Sequence, residues 1–144
     1  EDVNDFWEQQ KKKERKKKGA KSILDGVSVS LPAVTRSLKL QKRAAKEGFD
    51  WKKPEDTLKK VKEELNELAV EMKAKNKKKM REELGDLLFS CINLSRKLGM
   101  DTETVIRESN RKFEKRFRKM EKQMNKKSLK WELKNLEKEW QNSK

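Results

Sequence analysis

The chain has no histidine and no tyrosine, one cysteine, two prolines and five glycines among 144 residues. Without histidine there is no Ser-His-Asp or Cys-His catalysis, and no Glu-x-x-His ligand set of the kind found in di-iron bundles. The single cysteine, Cys91, rules out an internal disulfide and a cysteine-rich zinc site. What is left for metal chemistry is carboxylate oxygen, which suits hard cations such as Mg2+. No apolar run approaches the ~18 residues of a membrane span, and no apolar segment follows the charged N-terminus as it would in a signal peptide. A cytoplasmic location is therefore expected. Apolar residues are scarce, 32% against the roughly 45–50% of an average globular domain. A large self-contained core is not expected; narrow apolar helix faces, or a core shared between two copies, are.

Charge is abundant. Forty Lys and Arg face twenty-five Asp and Glu, a net charge of +15. Such an excess suits a polyanion, whether nucleic acid, an anionic membrane surface or free nucleotide. A lysine-rich compositional habit would produce it too. The chain starts at Glu1 rather than Met, as expected for a processed product or a piece of something longer.

Few prolines and glycines permit long helices. Asp5 to Lys18 is polar and mostly Lys, a short solvated helix or a tail, within a basic N-terminal segment 1–22 that precedes a helical domain 23–144. Gly19 to Ser30 reads as a loop and Val27 to Leu31 as an extended linker. Ser30 as N-cap with Pro32 in the first turn opens a helix that Gly48 ends. Gly48-Phe-Asp-Trp51 is a loop, and Pro54 opens the next helix, with Leu58, Val61, Leu65, Leu68 and Met72 at steps of three and four. Lys73 to Lys79 reads as a connector. Met80, Leu84, Leu87, Leu88, Cys91, Leu94 and Leu98 mark a third helix, on whose core face Cys91 falls. Gly99 stops it and Asp101 caps the helix of Ile106, Phe113, Phe117, Met120 and Met124. Ser128 is the expected cap of a last helix holding Leu129, Leu133, Leu136 and Trp140, with Trp131 in its first turn. No strand is convincing, so the fold class is all-α, a helix bundle.

The informative acids are Glu63-Glu64-Leu-Asn-Glu67 and Glu83-Leu-Gly-Asp86. At about 100° per residue, with Val61 at zero, the apolar arc of the second helix runs from roughly 340° to roughly 60°. Glu64 falls at about 300°, Glu71 at about 280° and Glu67 at about 240°. On the third helix, with Met80 at zero, Glu83 falls at about 300° and Asp86 at about 240°. Both helices thus carry acids on the same flank of their apolar stripes, and a short connector favours antiparallel packing. If the flanks meet, the carboxylates repel one another unless a divalent cation is present. Spacing alone leaves two readings, a metal site or solvated helix faces. A carboxylate-held Mg2+ serves phosphate, so cations are sought nearby. Lys112 and Arg116 share a face beside Phe113 and Phe117, and Lys60 and Lys79 lie one turn before Glu64 and Glu83. Each of these could equally be an ordinary surface cation, and Trp140 an ordinary core residue.

These acids, with fifteen residues between Glu67 and Glu83, resemble the metal motif of the MazG-type nucleoside triphosphate pyrophosphohydrolases. Leu24-Asp-Gly-Val27, Ser30-Leu-Pro-Ala33, Gly48-Phe-Asp-Trp51, Glu83-Leu-Gly-Asp-Leu-Leu-Phe89, Asn93-Leu94 and Asn110-x-Lys112-Phe-x-x-Arg116-Phe117 are similar, in order, to that family's second, C-terminal domain over roughly residues 5 to 142. The resemblance implies an all-α pyrophosphohydrolase fold, a homodimer, and hydrolysis of a nucleoside triphosphate to monophosphate and pyrophosphate with Mg2+, or Mn2+ in its place. It implies Glu64, Glu67, Glu83 and Asp86 as metal ligands, and Lys60, Glu63, Lys79, Lys112, Arg116 and Trp140 as the nucleotide's lining. It also implies Lys11, in Trp7-Glu-x-x-Lys11, as a further phosphate contact. Glu63, or one of the ligands, would accept a proton from the attacking water. Trp131 departs from the family, which more often has an acid there. The rival reading is a non-catalytic basic helical module that binds nucleic acid through its Lys runs. A membrane partner is not expected.

Overall fold

The computed structural model describes residues 2–144; Glu1, and with it the first position of the basic segment 1–22, lies outside the described residues. Six helices follow in order: α1 (Asp2–Lys17), α2 (Ala33–Lys46), α3 (Pro54–Lys73), α4 (Lys77–Lys97), α5 (Thr102–Lys126) and α6 (Leu133–Asn142). Among the described residues there is no strand, as an all-α fold requires. The helices fall into two compact units, one running to Met100 and the other Asp101–Lys144.

In the first unit α3 packs chiefly against α4, and α4 also receives α2. Pro54 opens α3 at its first turn, where its missing N–H costs nothing, and Glu55 and Asp56 complement the positive end of the helix dipole. Asn76 caps α4, its side chain accepting from the Lys79 N–H at 3.2 Å. The link between these helices is therefore only Ala74–Asn76, shorter than the basic connector 73–79 read from sequence: Lys77, Lys78 and Lys79 already lie in α4. Pairings of Glu64 with Glu83 and of Glu71 with Lys79 run in opposite chain directions, so the pair is an antiparallel hairpin. Gln41 ties α2 to it by donating to the Phe89 carbonyl at 3.0 Å. Asp50, between α2 and α3, accepts from Arg96 Nη2 at 2.5 Å and Lys97 Nζ at 3.2 Å at the end of α4.

The second unit is a helix pair, α5 against α6. Asp101 caps α5, accepting from the Thr104 N–H at 2.9 Å and its hydroxyl at 2.7 Å. Met120 and Met124 are buried, and Glu139, 2% exposed, accepts from Lys127 Nζ at 2.7 Å.

Three local readings are corrected. Ser30 does not cap α2: the N-cap is Pro32, in an extended conformation with no side-chain cap bond, and the Ser30 hydroxyl lies 2.7 Å from that of Ser28. Ser128 does not cap α6. It ends α5 with φ of 49°, and the N-cap of α6 is Glu132, so Leu129 and Trp131 precede the helix rather than lying in its first turn. Cys91 is exposed, not on a closed core face. The apolar stripes of α3 and α4 are not closed over by this chain either: Leu58, Leu65, Met72, Leu84 and Leu88 stand 41–59% exposed, and the buried apolar residues are Val27, Met120 and Met124.

Candidate metal and nucleotide site

The hairpin brings the two acidic flanks together. Glu64, Glu83 and Asp86 each offer a carboxylate oxygen, and these atoms all lie within 4.8 Å of one another. The angular argument from sequence is realised because Glu64 and Glu83 sit beside their apolar stripes at the α3–α4 seam. Glu64 is buried, Glu83 half-buried and Asp86 exposed, so the cluster opens to solvent at one side. Glu67, one turn beyond Glu64, is exposed and close enough to act on the ionisation of both Glu64 and Glu83.

Electrostatics follows from this crowding. Desolvation, then the hydrogen bond to Glu67 and the charges of Glu67, Glu64 and Asp86, push Glu83 up to about 6. Glu64 goes the other way, held below the usual carboxylate range chiefly by its hydrogen bond to Lys60. The Lys60 ammonium lies 2.7 Å from Glu64 Oε1 and 3.2 Å from Glu63 Oε2, and those two carboxylates raise its own pKa. Glu64 Oε2 and Glu83 Oε2 are buried without a hydrogen-bond partner. An unpaired buried carboxylate oxygen costs free energy on the order of 1–3 kcal/mol. A hard divalent cation takes oxygen ligands of this kind, so the donor set fits one.

The remaining sequence candidates lie in three other places. Lys79 is within 4.0 Å of Glu71, the acid that precedes the connector. Lys11 lies on α1 with its ammonium 5.1 Å from the centre of the Trp7 ring, lining a cleft between α1 and α2 that no member of the acid cluster lines. Lys112, Arg116 and Trp140 belong to the second unit. There Arg116 donates to the Trp140 carbonyl from Nε at 3.2 Å and Nη2 at 2.7 Å, and its guanidinium lies 3.9 Å from the Trp140 ring centre. Phe113 meets the same ring at 5.4 Å and stacks on Phe117 at 5.8 Å. Lys112 is exposed one turn before Arg116.

Sequence reasoning missed two features. Phe113 is 59% exposed and joins Arg116 and Trp140 in one aromatic-cationic cluster. Lys39, Lys42, Arg43 and Lys46 of α2 line the same cleft as α1. Their three-and-four spacing was the available signal, masked by a chain in which basic residues are everywhere.

Residues 52–120 match the MazG nucleotide pyrophosphohydrolase domain, a span that includes every member of the acid cluster. The resemblance to the MazG family is thereby shown. It is 41% identical over 143 residues to a nucleoside triphosphate pyrophosphohydrolase of Escherichia coli strain K12, covering 96% of this chain and 54% of that protein. It is 40% identical over 141 residues to the nucleoside triphosphate pyrophosphohydrolase/pyrophosphatase MazG of Thermotoga maritima, covering 96% and 54% in the same way. The chain thus spans about half the length of the curated relatives it matches. No helix among the described residues is long and apolar enough to cross a membrane.

Proposed function

We propose that this chain hydrolyses nucleoside triphosphates to the monophosphate and pyrophosphate with Mg2+, or Mn2+ in its place. The observation that carries the reading is the convergence of Glu64, Glu83 and Asp86, with a buried unpartnered oxygen on each of the two glutamates.

Glu64, Glu67, Glu83 and Asp86 would hold the cation. When bound, it supplies charge neutralisation for the phosphates and acidifies a coordinated water. The protein's own groups do the rest. Lys60 balances Glu64 and Glu63, so a competing positive charge lets that ammonium turn toward phosphate. Glu63 is exposed beside the cluster and accepts the proton of the attacking water. Lys112 and Arg116 contact phosphate, with Lys79 as a further contact; Lys11, on the wall of the α1–α2 cleft that no acid of the cluster lines, is left out of the nucleotide site. Trp140 offers a ring face to the base, and Arg116, bound to the Trp140 carbonyl, fixes that ring's orientation. A second copy covers the exposed apolar faces of α3 and α4, making the working form a homodimer. The cytoplasm, which holds such substrates, is the proposed location.

The test is a panel of ribo- and deoxyribonucleoside triphosphates scored for monophosphate and pyrophosphate, with Mg2+ and with chelator. Metal-dependent pyrophosphate release supports the reading. Phosphate as the sole product, or release that ignores chelator, rejects it.

A further inference from the structure

The cleft between α1 and α2 shares no residue with the acid cluster and has the opposite charge. It encloses about 790 Å3 and is lined by eighteen residues, of which nine are Lys or Arg and three are acidic. Two of those acids are already engaged, Glu47 with Lys12 and Glu8 with Lys46. On α1, Lys12, Arg15 and Lys16 repeat at helical spacing; on α2, Lys39, Lys42 and Arg43 do the same and face them. The excess is felt locally: desolvation, and then the charge of Arg15 across the cleft, lower the pKa of Arg43. The Arg43 guanidinium is turned onto the Ile23 and Asp25 carbonyls. Trp7, 60% exposed, stands at the wall with Lys11 beside its ring.

We infer that this cleft binds a segment of single-stranded nucleic acid, its phosphates running between the two basic helix faces and a base stacking on Trp7. A cationic groove with an exposed aromatic is the arrangement that holds single strands without reading sequence. The volume lies within the roughly 300–1,000 Å3 of ligand sites, which suits a short stretch of strand and not a whole duplex. A flat anionic membrane meets the rims of a concavity but not its lining, so the strand is the better occupant.

The experiment uses the whole chain, a fluorescein-labelled ten-nucleotide single-stranded RNA, and chelator throughout, so that binding does not depend on metal or hydrolysis. Two triple variants of equal charge change are compared with the parent: K16Q/K39Q/K42Q in the cleft, and K130Q/K134Q/K138Q in and before α6, all exposed positions. Removing three phosphate contacts lowers the slope of log affinity against log salt by about 2. The cleft variant is expected to show that drop and at least a tenfold loss at low salt, with pyrophosphate release and helicity unchanged. The α6 variant is expected to lose less than threefold. Equal losses in the two variants mean diffuse attraction and overturn the inference. So does displacement of the RNA by a nucleoside triphosphate in chelator, or a fall in pyrophosphate release in the cleft variant, since either makes the cleft part of the nucleotide site. Binding of phosphatidylserine vesicles through the same three lysines, with no RNA binding, overturns it in favour of a membrane.

Discussion

Glu64 is the residue on which most of the chemistry converges. It is buried, paired with Lys60, and keeps one oxygen without a partner in a cluster of like charges. Replacing Glu64 or Asp86 with Ala is expected to lower pyrophosphate release by 100-fold or more, while far-ultraviolet circular dichroism stays at the parent's value. Full activity in either variant would reject the site. Asp50 gives a prediction of a different kind. Hydrogen bonds from Arg96, then partial offset by desolvation, then Lys97, hold its pKa below the usual aspartate value of 3.8. A group whose folded pKa is depressed contributes stability that is complete above its unfolded pKa and fades as pH falls through the folded one. The part due to Asp50 is therefore present at neutral pH and lost below about pH 4; with its side chain 24% exposed, it is worth no more than about 1 kcal/mol. Asp50→Asn should unfold more easily in urea at pH 7, and the gap to the parent should narrow as pH falls below about 4. A gap that stays constant from pH 7 into the acid range would show that the ion pairs are not the cause. At this scale the acids were legible because angular position on a helix follows from residue number. Lys60 was legible as a cation one turn from Glu64, since pairs three and four apart must meet. Arg116 on Trp140 was not, since those residues lie 24 apart in sequence and only packing brings them together.

The helices share a way of ending. After α1, α2, α3, α4 and α5 the chain turns with positive φ, at Gly19, Gly48, Lys75, Gly99 and Ser128, and the next residue's N–H bonds the carbonyl five back, as Met100 does to Ser95 at 3.0 Å. Three of these sites hold glycine, for which the conformation is cheap. Ser128, φ 49°, carries the strain of a side chain there. Ser128→Gly is expected to raise unfolding stability by about 0.5–1 kcal/mol, relief of that strain outweighing the added unfolded-state entropy. A lower melting temperature would contradict it. At the start of α4, Asn76→Ala removes the cap bond and should cost about 1 kcal/mol in the same melt. Glycine stops and the Pro54 start were readable because each residue type has a narrow backbone preference. Ser30 and Ser128 misled for the same physical reason in reverse: a short hydroxyl side chain suits N-caps, turns and helix ends alike, and nothing local chooses among them. In Ser30 the hydroxyl meets Ser28, and in Ser128 the last turn of α5 claims the backbone first.

Over the whole molecule the apolar surface remains open. Leu65 and Leu88 are 52% and 57% exposed on the hairpin that carries the acids. The sequence showed that apolar residues are few and lie on narrow stripes, and so anticipated an unclosed core; it could not show which side chains stay open, because burial depends on tertiary packing. If a second copy covers them, sedimentation equilibrium will give twice the chain mass of 17.1 kDa, and Leu65→Glu with Leu88→Glu will give the single mass. A monomer for the parent at micromolar concentration would remove the dimer from the account. The central claim is narrower, that the α3–α4 seam gathers a divalent ion. It is tested most directly by titrating the protein with Mn2+ and following the free ion by electron paramagnetic resonance, in the parent and in a Glu64→Ala, Asp86→Ala double variant. The account expects saturable binding in the parent, competed by Mg2+ and lost in a variant of unchanged helicity; equal Mn2+ binding in both proteins would contradict it.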